Sequence, residues 1–363
     1  MRKAAHDTIS AYPKNDAGKV TLPRHIQTEA ELEEVLTRPR AVLVEFIRTV
    51  SSPLVILGAG GKMGPTLAVL ARRAAEAAGH PLDVIAVSRF RNPIQLAWFQ
   101  AHQIRTFTCD LLEAGAMRQL PETENLIYLV GLKFGTTQNP AATWVANTLV
   151  PARVAERYPG ARMVALSTGN VYPFSAVSRS GSVEEDALTP LGEYAYSAVA
   201  RERIFEHFSR RNGTRLALLR LFYALDLRYG LLVDMARKIH DGEPIDLTNG
   251  FVNCIWQGDA NEMVLRALSL TNSPPAVWNL CRPEVYSVRD LARRLGKELG
   301  QPPQFVSKEA ETALLGNPAK LCSALGQPAM PLDKILRWTA QWIQRGGRLL
   351  DNPTHFEVRH GRY

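Results

Sequence analysis

Cysteine is scarce in this chain. Cys109, Cys254, Cys281 and Cys322 are the only four in 363 residues. No two have metal-ligand spacing, and four are too few for a disulfide scaffold. Each stands among apolar neighbours, where a thiol serves as a small buried residue. Long apolar runs are missing too. None approaches the ~20 residues of a membrane-spanning helix, and residues 1–19 are polar, without the apolar stretch of a secretory signal. The expected location is the cytoplasm, with no membrane partner. Runs of like charge are also absent. Lys and Arg number 43 against 35 Asp and Glu, a net charge of +8, yet the basic residues are interspersed with acids. That pattern predicts a mixed solvated surface and no nucleic-acid partner. An anionic small molecule needs only a few local arginines, with Arg228, Arg237 and Arg282 as candidates. His355 and His360 lie five apart with no third ligand, so no metal site is expected.

The chain does contain an ordinary globular composition, 46% hydrophobic and 21% charged, and length for one large domain or two coupled ones. Residues 1–50 read as an N-terminal helical extension. Thr28-Glu29-Ala30-Glu31 has capping-box spacing, predicting a helix from Glu29, and Pro39 separates it from a second helical stretch, Ala41 to Val50. Short apolar strands then alternate with helical segments. Strands are predicted at Leu54 to Leu57, Val84 to Val87, Thr106 to Cys109, Leu126 to Val130, Met163 to Leu166 and Leu216 to Leu221, with helices such as Leu67 to Ala78 and Asn147 to Tyr158 between them. Continuous apolar strands joined through helices imply a parallel sheet covered on both faces, a doubly wound α/β fold of the Rossmann kind. The domain built on this sheet is expected over 51–223. After Tyr223 helical segments dominate. A smaller, mostly helical region is expected over 224–350, with 251–270 returning to the first domain and 351–363 as a C-terminal tail.

The segment Val55-Ile56-Leu57-Gly58-Ala59-Gly60-Gly61-Lys62-Met63-Gly64 closes the first strand and opens a helix. Met63 breaks a GxGxxG spacing, but Gly58, Gly61 and Gly64 fit GxxGxxG. Such a turn lets the backbone approach a pyrophosphate, which then meets the free N–H groups of a helix N-terminus. The second strand ends Ser88-Arg89 instead of in the acid that would bind the ribose hydroxyls of NAD. An arginine suits a 2′-phosphate, so NADP is the expected cofactor, with NAD as the alternative. Asp110-Leu111 ends the third strand, where an acid meets an adenine amino group or caps a helix.

The order of these landmarks resembles the extended short-chain dehydrogenases/reductases, the NAD(P)-dependent epimerase/dehydratase family, over roughly residues 53–305. The glycine loop and Asp110-Leu111 are followed by Leu129-Val130-Gly131, similar to the family's small-residue turn after strand four. Asn139-Pro140 and Asn147 resemble its next helix. Leu166-Ser167-Thr168-Gly169-Asn170-Val171-Tyr172 is similar to the serine-rich motif after strand five, and Pro190-Leu191-Gly192-Glu193-Tyr194 to the lead-in to the catalytic tyrosine. Asp259 and Val277-Trp278-Asn279-Leu280 complete the series.

The resemblance implies hydride transfer at a carbinol carbon of a hydroxyl-bearing, sugar-like substrate, and a homodimer built partly on the helix after Tyr194. It makes Tyr194 the proton-exchanging residue, which also borders the cofactor, and Thr168 the hydroxyl that shares the reacting oxygen. In the family a lysine four residues after the tyrosine binds the nicotinamide ribose and lowers the tyrosine pKa. A free tyrosine titrates near 10, so proton transfer at neutral pH needs such a charge. Here that position is Ala198, and a register starting at Tyr196 gives Ala200. Either another cation substitutes, Lys133 before Arg201, or the chemistry differs, or the protein binds the dinucleotide without catalysis. The family's Arg-Pro-x-Asn is also replaced, by Arg220-Leu221-Phe222-Tyr223. The resulting candidate set is Thr168, Tyr194 and Lys133 for catalysis. Gly58, Gly60, Gly61, Lys62, Met63, Gly64, Ser88, Arg89, Asp110, Leu111 and Gly131 are the candidates for the cofactor.

Overall fold

The computed structural model describes residues 22–350 and 353–362. The expected capping box is present: the Thr28 hydroxyl accepts from the Glu31 N–H, and the Glu31 carboxylate accepts from the Thr28 N–H. It starts α1 (Glu29–Leu36), which is followed by α2 (Ala41–Ile47).

Seven strands form one parallel sheet: β1 (Leu54–Leu57), β2 (Val84–Ser88), β3 (Arg105–Thr108), β4 (Asn125–Tyr128), β5 (Arg162–Thr168), β6 (Arg215–Leu221) and β7 (Ala276–Leu280). Their spatial order is β7-β6-β5-β4-β1-β2-β3. Neighbours are in parallel register throughout, as in Leu54 to Val84 and Leu54 to Asn125. β1 and β4 are buried along their whole length, which explains their unbroken apolar or small-polar sequence. Helices cover both faces. On one lie α2 and α3 (Gly64–Ala78), packed on Leu54, Ile56 and Ala86. On the other lie α4, a continuous helix over 140–157, and α5 (Gly192–Asn212), packed on Val55, Leu57 and Tyr128. Within α4 the turn Val145–Leu149 is a π-bulge, a device often found beside functional sites.

A second core is formed by α6 (Leu231–Asp241), α8 (Val288–Leu299) and α9 (Leu332–Gln344) around Trp256, Trp338 and Trp342. These tryptophans do serve packing. Between them in sequence, α7 (Gln257–Arg266) lies against α3 in the core of the sheet. The N-terminal helices join the two cores, since Leu32 and Leu36 of α1 belong to the second and Leu43 and Ile47 of α2 to the first. Short two-stranded pairings occur in the second half, among them Tyr223–Leu225 parallel to Cys254–Trp256. All four cysteines are buried thiols. Among the described residues no helix is long and apolar enough to cross a membrane.

Candidate functional site

The strand order reverses between β1 and β4, and a parallel sheet opens a crevice at the carboxyl ends of its strands at such a point. The cleft lies there. It has two lobes, of about 300 and about 370 Å³, that share Gly58, Gly61, Leu129 and Gly131. The two lobes thus meet at the glycine-rich loop.

The loop itself is held by close backbone packing. Gly58 has φ +79°, and a Cβ on Gly64 would stand 2.1 Å from the Ala59 carbonyl oxygen. Only glycine fits there without moving the loop. In front of Gly61 the space is different: a Cβ would meet nothing nearer than the Gly58 oxygen at 3.4 Å, and the residue borders both lobes. That open, backbone-lined space beside the N-terminus of α3 fits a pyrophosphate. Met63 precedes the helix and lines the same lobe as Gly61, Lys62 and Gly64.

The larger lobe holds the adenosine-side candidates together. Gly60, Ser88, Arg89, Asp110, Leu111 and Gly131 all border it. Arg89 is half exposed and lies 3.9 Å from Asp110. The other Asp110 oxygen accepts from the Leu112 N–H, so this acid also performs the capping role open to it from sequence.

The smaller lobe brings Thr168, Tyr194 and Lys133 to one surface, with Lys62 opposite. Thr168 ends β5, and its hydroxyl accepts from the Asn170 N–H at 3.2 Å. Its neighbour Ser167 is engaged elsewhere, donating to Glu202 at 2.5 Å. Glu202 and Arg220 form a buried ion pair at 2.7 Å, and Arg220 also donates to the Tyr172 hydroxyl at 2.6 Å. Arg220 is thus structural. Burial pushes the Tyr172 hydroxyl up to about 12, so it stays protonated. Tyr194 stands in the first turn of α5, and the Trp144 indole donates to the adjacent Glu193, tying α5 to α4.

Ala198 is fully buried, leaving no side-chain charge at the family's lysine position. Two cations stand near. Arg201, seven residues beyond Tyr194 and so on the same helix face, reaches back toward the helix N-terminus. It donates to the Val130 carbonyl at 3.2 Å, and one of its nitrogens lies 2.8 Å from where a Cβ on Gly131 would be. Lys133 lines the lobe itself and donates to the Thr354 carbonyl at 3.2 Å; burial lowers its ammonium to about 8.

Several lining residues lay outside the candidate set read from the sequence: Asn170 and Phe222, within motifs already noted, and Tyr229, Leu314 and Thr354, which no motif marked. Thr354 comes from the C-terminal tail. Its N–H and hydroxyl donate to Asp234 of α6, and Phe356 is buried in the second core. Only a basic composition marked that segment. The arginines proposed for an anionic substrate are turned to other partners or to solvent. Arg228 pairs with Asp226 at 2.8 Å, Arg282 pairs with Glu284, and Arg237 is exposed; none lines the cleft. Among the described residues there is no cluster of metal-ligating side chains.

A profile of the NAD dependent epimerase/dehydratase family matches residues 54–281. The chain belongs to this family. Its match begins at β1 and ends just after β7, so it includes the whole sheet and the cleft above it. Solved structures show the same fold at low identity. A UDP-glucuronic acid 4-epimerase from Bacillus cereus, in complex with NAD, is 16% identical, with 81% of this chain and 96% of that chain covered and a TM-score of 0.65. A UDP-glucose 4-epimerase from Thermotoga maritima, with UDP-glucose, is 17% identical over 81% and 99%, TM-score 0.65. A dTDP-glucose 4,6-dehydratase from Bacillus anthracis, in complex with NAD, is 14% identical over 81% and 97%, TM-score 0.69. Comparison with curated protein sequences gives no match. The glycine loop, the end of β5 and the start of α5 border one cleft, and the position four residues after Tyr194 is Ala198.

Proposed function

We propose that the protein is an NAD(P)-dependent oxidoreductase of the epimerase/dehydratase kind, acting on a hydroxyl-bearing sugar or nucleotide-sugar by hydride transfer. One observation carries this reading: Tyr194 and Thr168 share a single lobe with the glycine loop. The solved relatives with NAD, UDP-glucose and UDP-glucuronic acid support the substrate class.

A bound dinucleotide supplies the hydride donor or acceptor. Gly58, Gly60, Gly61, Lys62, Met63 and Gly64 cradle its pyrophosphate, Gly131 borders it, and Asp110 and Leu111 bound the adenine end. Ser88 and Arg89 meet the adenosine ribose, and the half-exposed Arg89 favours a 2′-phosphate, hence NADP. Tyr194 exchanges the substrate hydroxyl proton and Thr168 hydrogen-bonds the same oxygen. Lys133, with its tip inside the lobe, supplies the positive charge that the family places at the Ala198 position. Trp144, Val145, Leu149 and Tyr196 leave an apolar surface exposed along α4 and α5, which supports a homodimer through those helices.

The test is hydride transfer across a panel of sugars and nucleotide-sugars. Tyr194→Phe removes only the hydroxyl and is expected to lose at least about a hundredfold in rate, the lower end of a general acid/base contribution. Full activity in that variant overturns the assignment. NADPH is expected to bind more tightly than NADH, and Arg89→Ala to weaken NADPH selectively by about 1–3 kcal/mol. Ala198 and the prior engagement of Thr168 with Asn170 favour a second reading, a dinucleotide binder without catalysis. Tight dinucleotide binding with no turnover on any panel member decides for it.

A further inference from the structure

Lys62 stands where the glycine loop turns into α3, with a side chain that leaves the loop and crosses the cleft. Its Nζ donates to the Ala224 carbonyl at 2.9 Å and lies 3.8 Å from the centre of the Tyr229 ring. Both partners belong to the segment after β6, so this one side chain bridges the two walls of the substrate lobe. No carboxylate among the described residues lies within ion-pair distance of it. Asp226, whose charge acts on Lys62, already takes three donors from Arg228 through its two oxygens. Asp234 is held by Thr354. The other charges around Lys62 are Arg228 and Lys133, both positive, and Tyr229 is the remaining titratable neighbour. A carbonyl and a ring face satisfy one proton and part of a charge, and a desolvated ammonium gains far more from an anion.

We propose that Lys62 is the anion-pairing residue of the cleft, its ammonium serving as counterion to the phosphate group that enters beside the glycine loop. The proposal rests on the dinucleotide reading above and deepens it. It assigns to the side chain a role that the loop's backbone does not fill, and it makes binding proton-coupled. Surrounded by protein and without an acid, Lys62 titrates at about 7, so near pH 8 it is mostly neutral. A phosphate at contact distance restores the ordinary basicity of an amine. The ligand therefore brings a proton with it. The proton is drawn from solvent at the moment of binding instead of being held permanently at a desolvated site.

Calorimetry at pH 8, in buffers of different ionisation enthalpy, reads this directly on the full-length protein. With NADPH as the probe, wild type is expected to take up close to one proton per site. Its Kd should rise roughly tenfold between pH 7 and pH 8.5, because the bound form is protonated where the free form is not. Lys62→Met should bind more weakly, with that uptake and that slope removed. Lys62→Arg, charged at every pH, should regain affinity but show no uptake. A second arm adds UDP-glucose to the protein saturated with NADPH. Uptake confined to this arm identifies the substrate's diphosphate, not the cofactor's, as the anion. Dinucleotide binding by wild type without proton uptake in either arm overturns the proposal, as does the same uptake in Lys62→Met. Absence of dinucleotide binding by wild type overturns the functional reading itself, and the Lys62 assignment with it.

Discussion

The floor and the roof of the cleft are built on different principles. The floor, formed by β1, β2, β4 and the glycine loop, is specified by backbone geometry. Apolar strands are buried on both faces, and a Cβ at Gly64 would overlap a carbonyl oxygen. The roof, formed by residues 223–231, α6 and the C-terminal tail, is held by side chains that meet across long stretches of chain. Asp234 takes two donors from Thr354, Lys238 pairs with Glu357, and Arg359 donates to the Thr312 carbonyl. A backbone-built floor tolerates little and always presents the same shape. A roof of separate polar contacts can be loosened one contact at a time. The floor is thus fixed, and the roof is the adjustable side.

The largest effect is expected beside the floor, where α5 and β6 share a buried charge pair. Arg220→Met leaves Glu202 buried without its partner and should cost about 3–5 kcal/mol in urea unfolding. A loss below about 1 kcal/mol would show that the packing of α5 on β6 does not depend on this pair. Gly64→Ala comes next, at about 1–3 kcal/mol from overpacking, together with loss of dinucleotide binding by fluorescence titration. Unaltered binding would remove the contrast between a rigid floor and an adjustable roof.

For the roof, Asp234→Asn weakens the acceptor for Thr354 and should cost only about 1–2 kcal/mol. Its clearest sign is faster proteolysis near residue 354 with the strands still protected from hydrogen exchange. Global loss of protection would mean that the tail is part of the core fold. The last effect concerns pH and is read as a slope. Lys62 and Lys133 titrate at about 7 and about 8 because burial disfavours their charged forms. The unfolded chain then binds more protons between those values and the ordinary lysine value near 10.4. Stability of the ligand-free protein should therefore rise as pH increases from 7 toward 9, by at most about 1 kcal/mol per unit and lysine. Lys62→Met should flatten that slope; an unchanged slope would place the titration elsewhere.

How much could be read in advance follows the same division. The strands from Leu54 to Leu221 were legible because a doubly covered parallel sheet demands short continuous apolar runs, and the observed strands agree within a few residues. The glycine loop was legible because close approach of backbone requires glycine at fixed spacing. The capping box at Thr28 was legible because it is a contact within four residues. The join between α1, α2 and the two cores was not, since amphipathic helices do not name the surface they cover.

By itself, the sequence determined the doubly wound fold, the place of the glycine loop, and the absence of a lysine at 198. Each of these is encoded locally, in periodicity, spacing or residue identity. Only the tertiary structure decided what fills the consequences of that absence. It turned Arg201 back onto Val130, sent Lys62 from the cofactor loop across to Ala224 and Tyr229, and laid Thr354 against Asp234 and Lys133. These contacts join residues 71 to 221 positions apart. The physical reason is that a long cationic side chain takes its direction from whichever carbonyl, ring or acid the rest of the fold brings within reach.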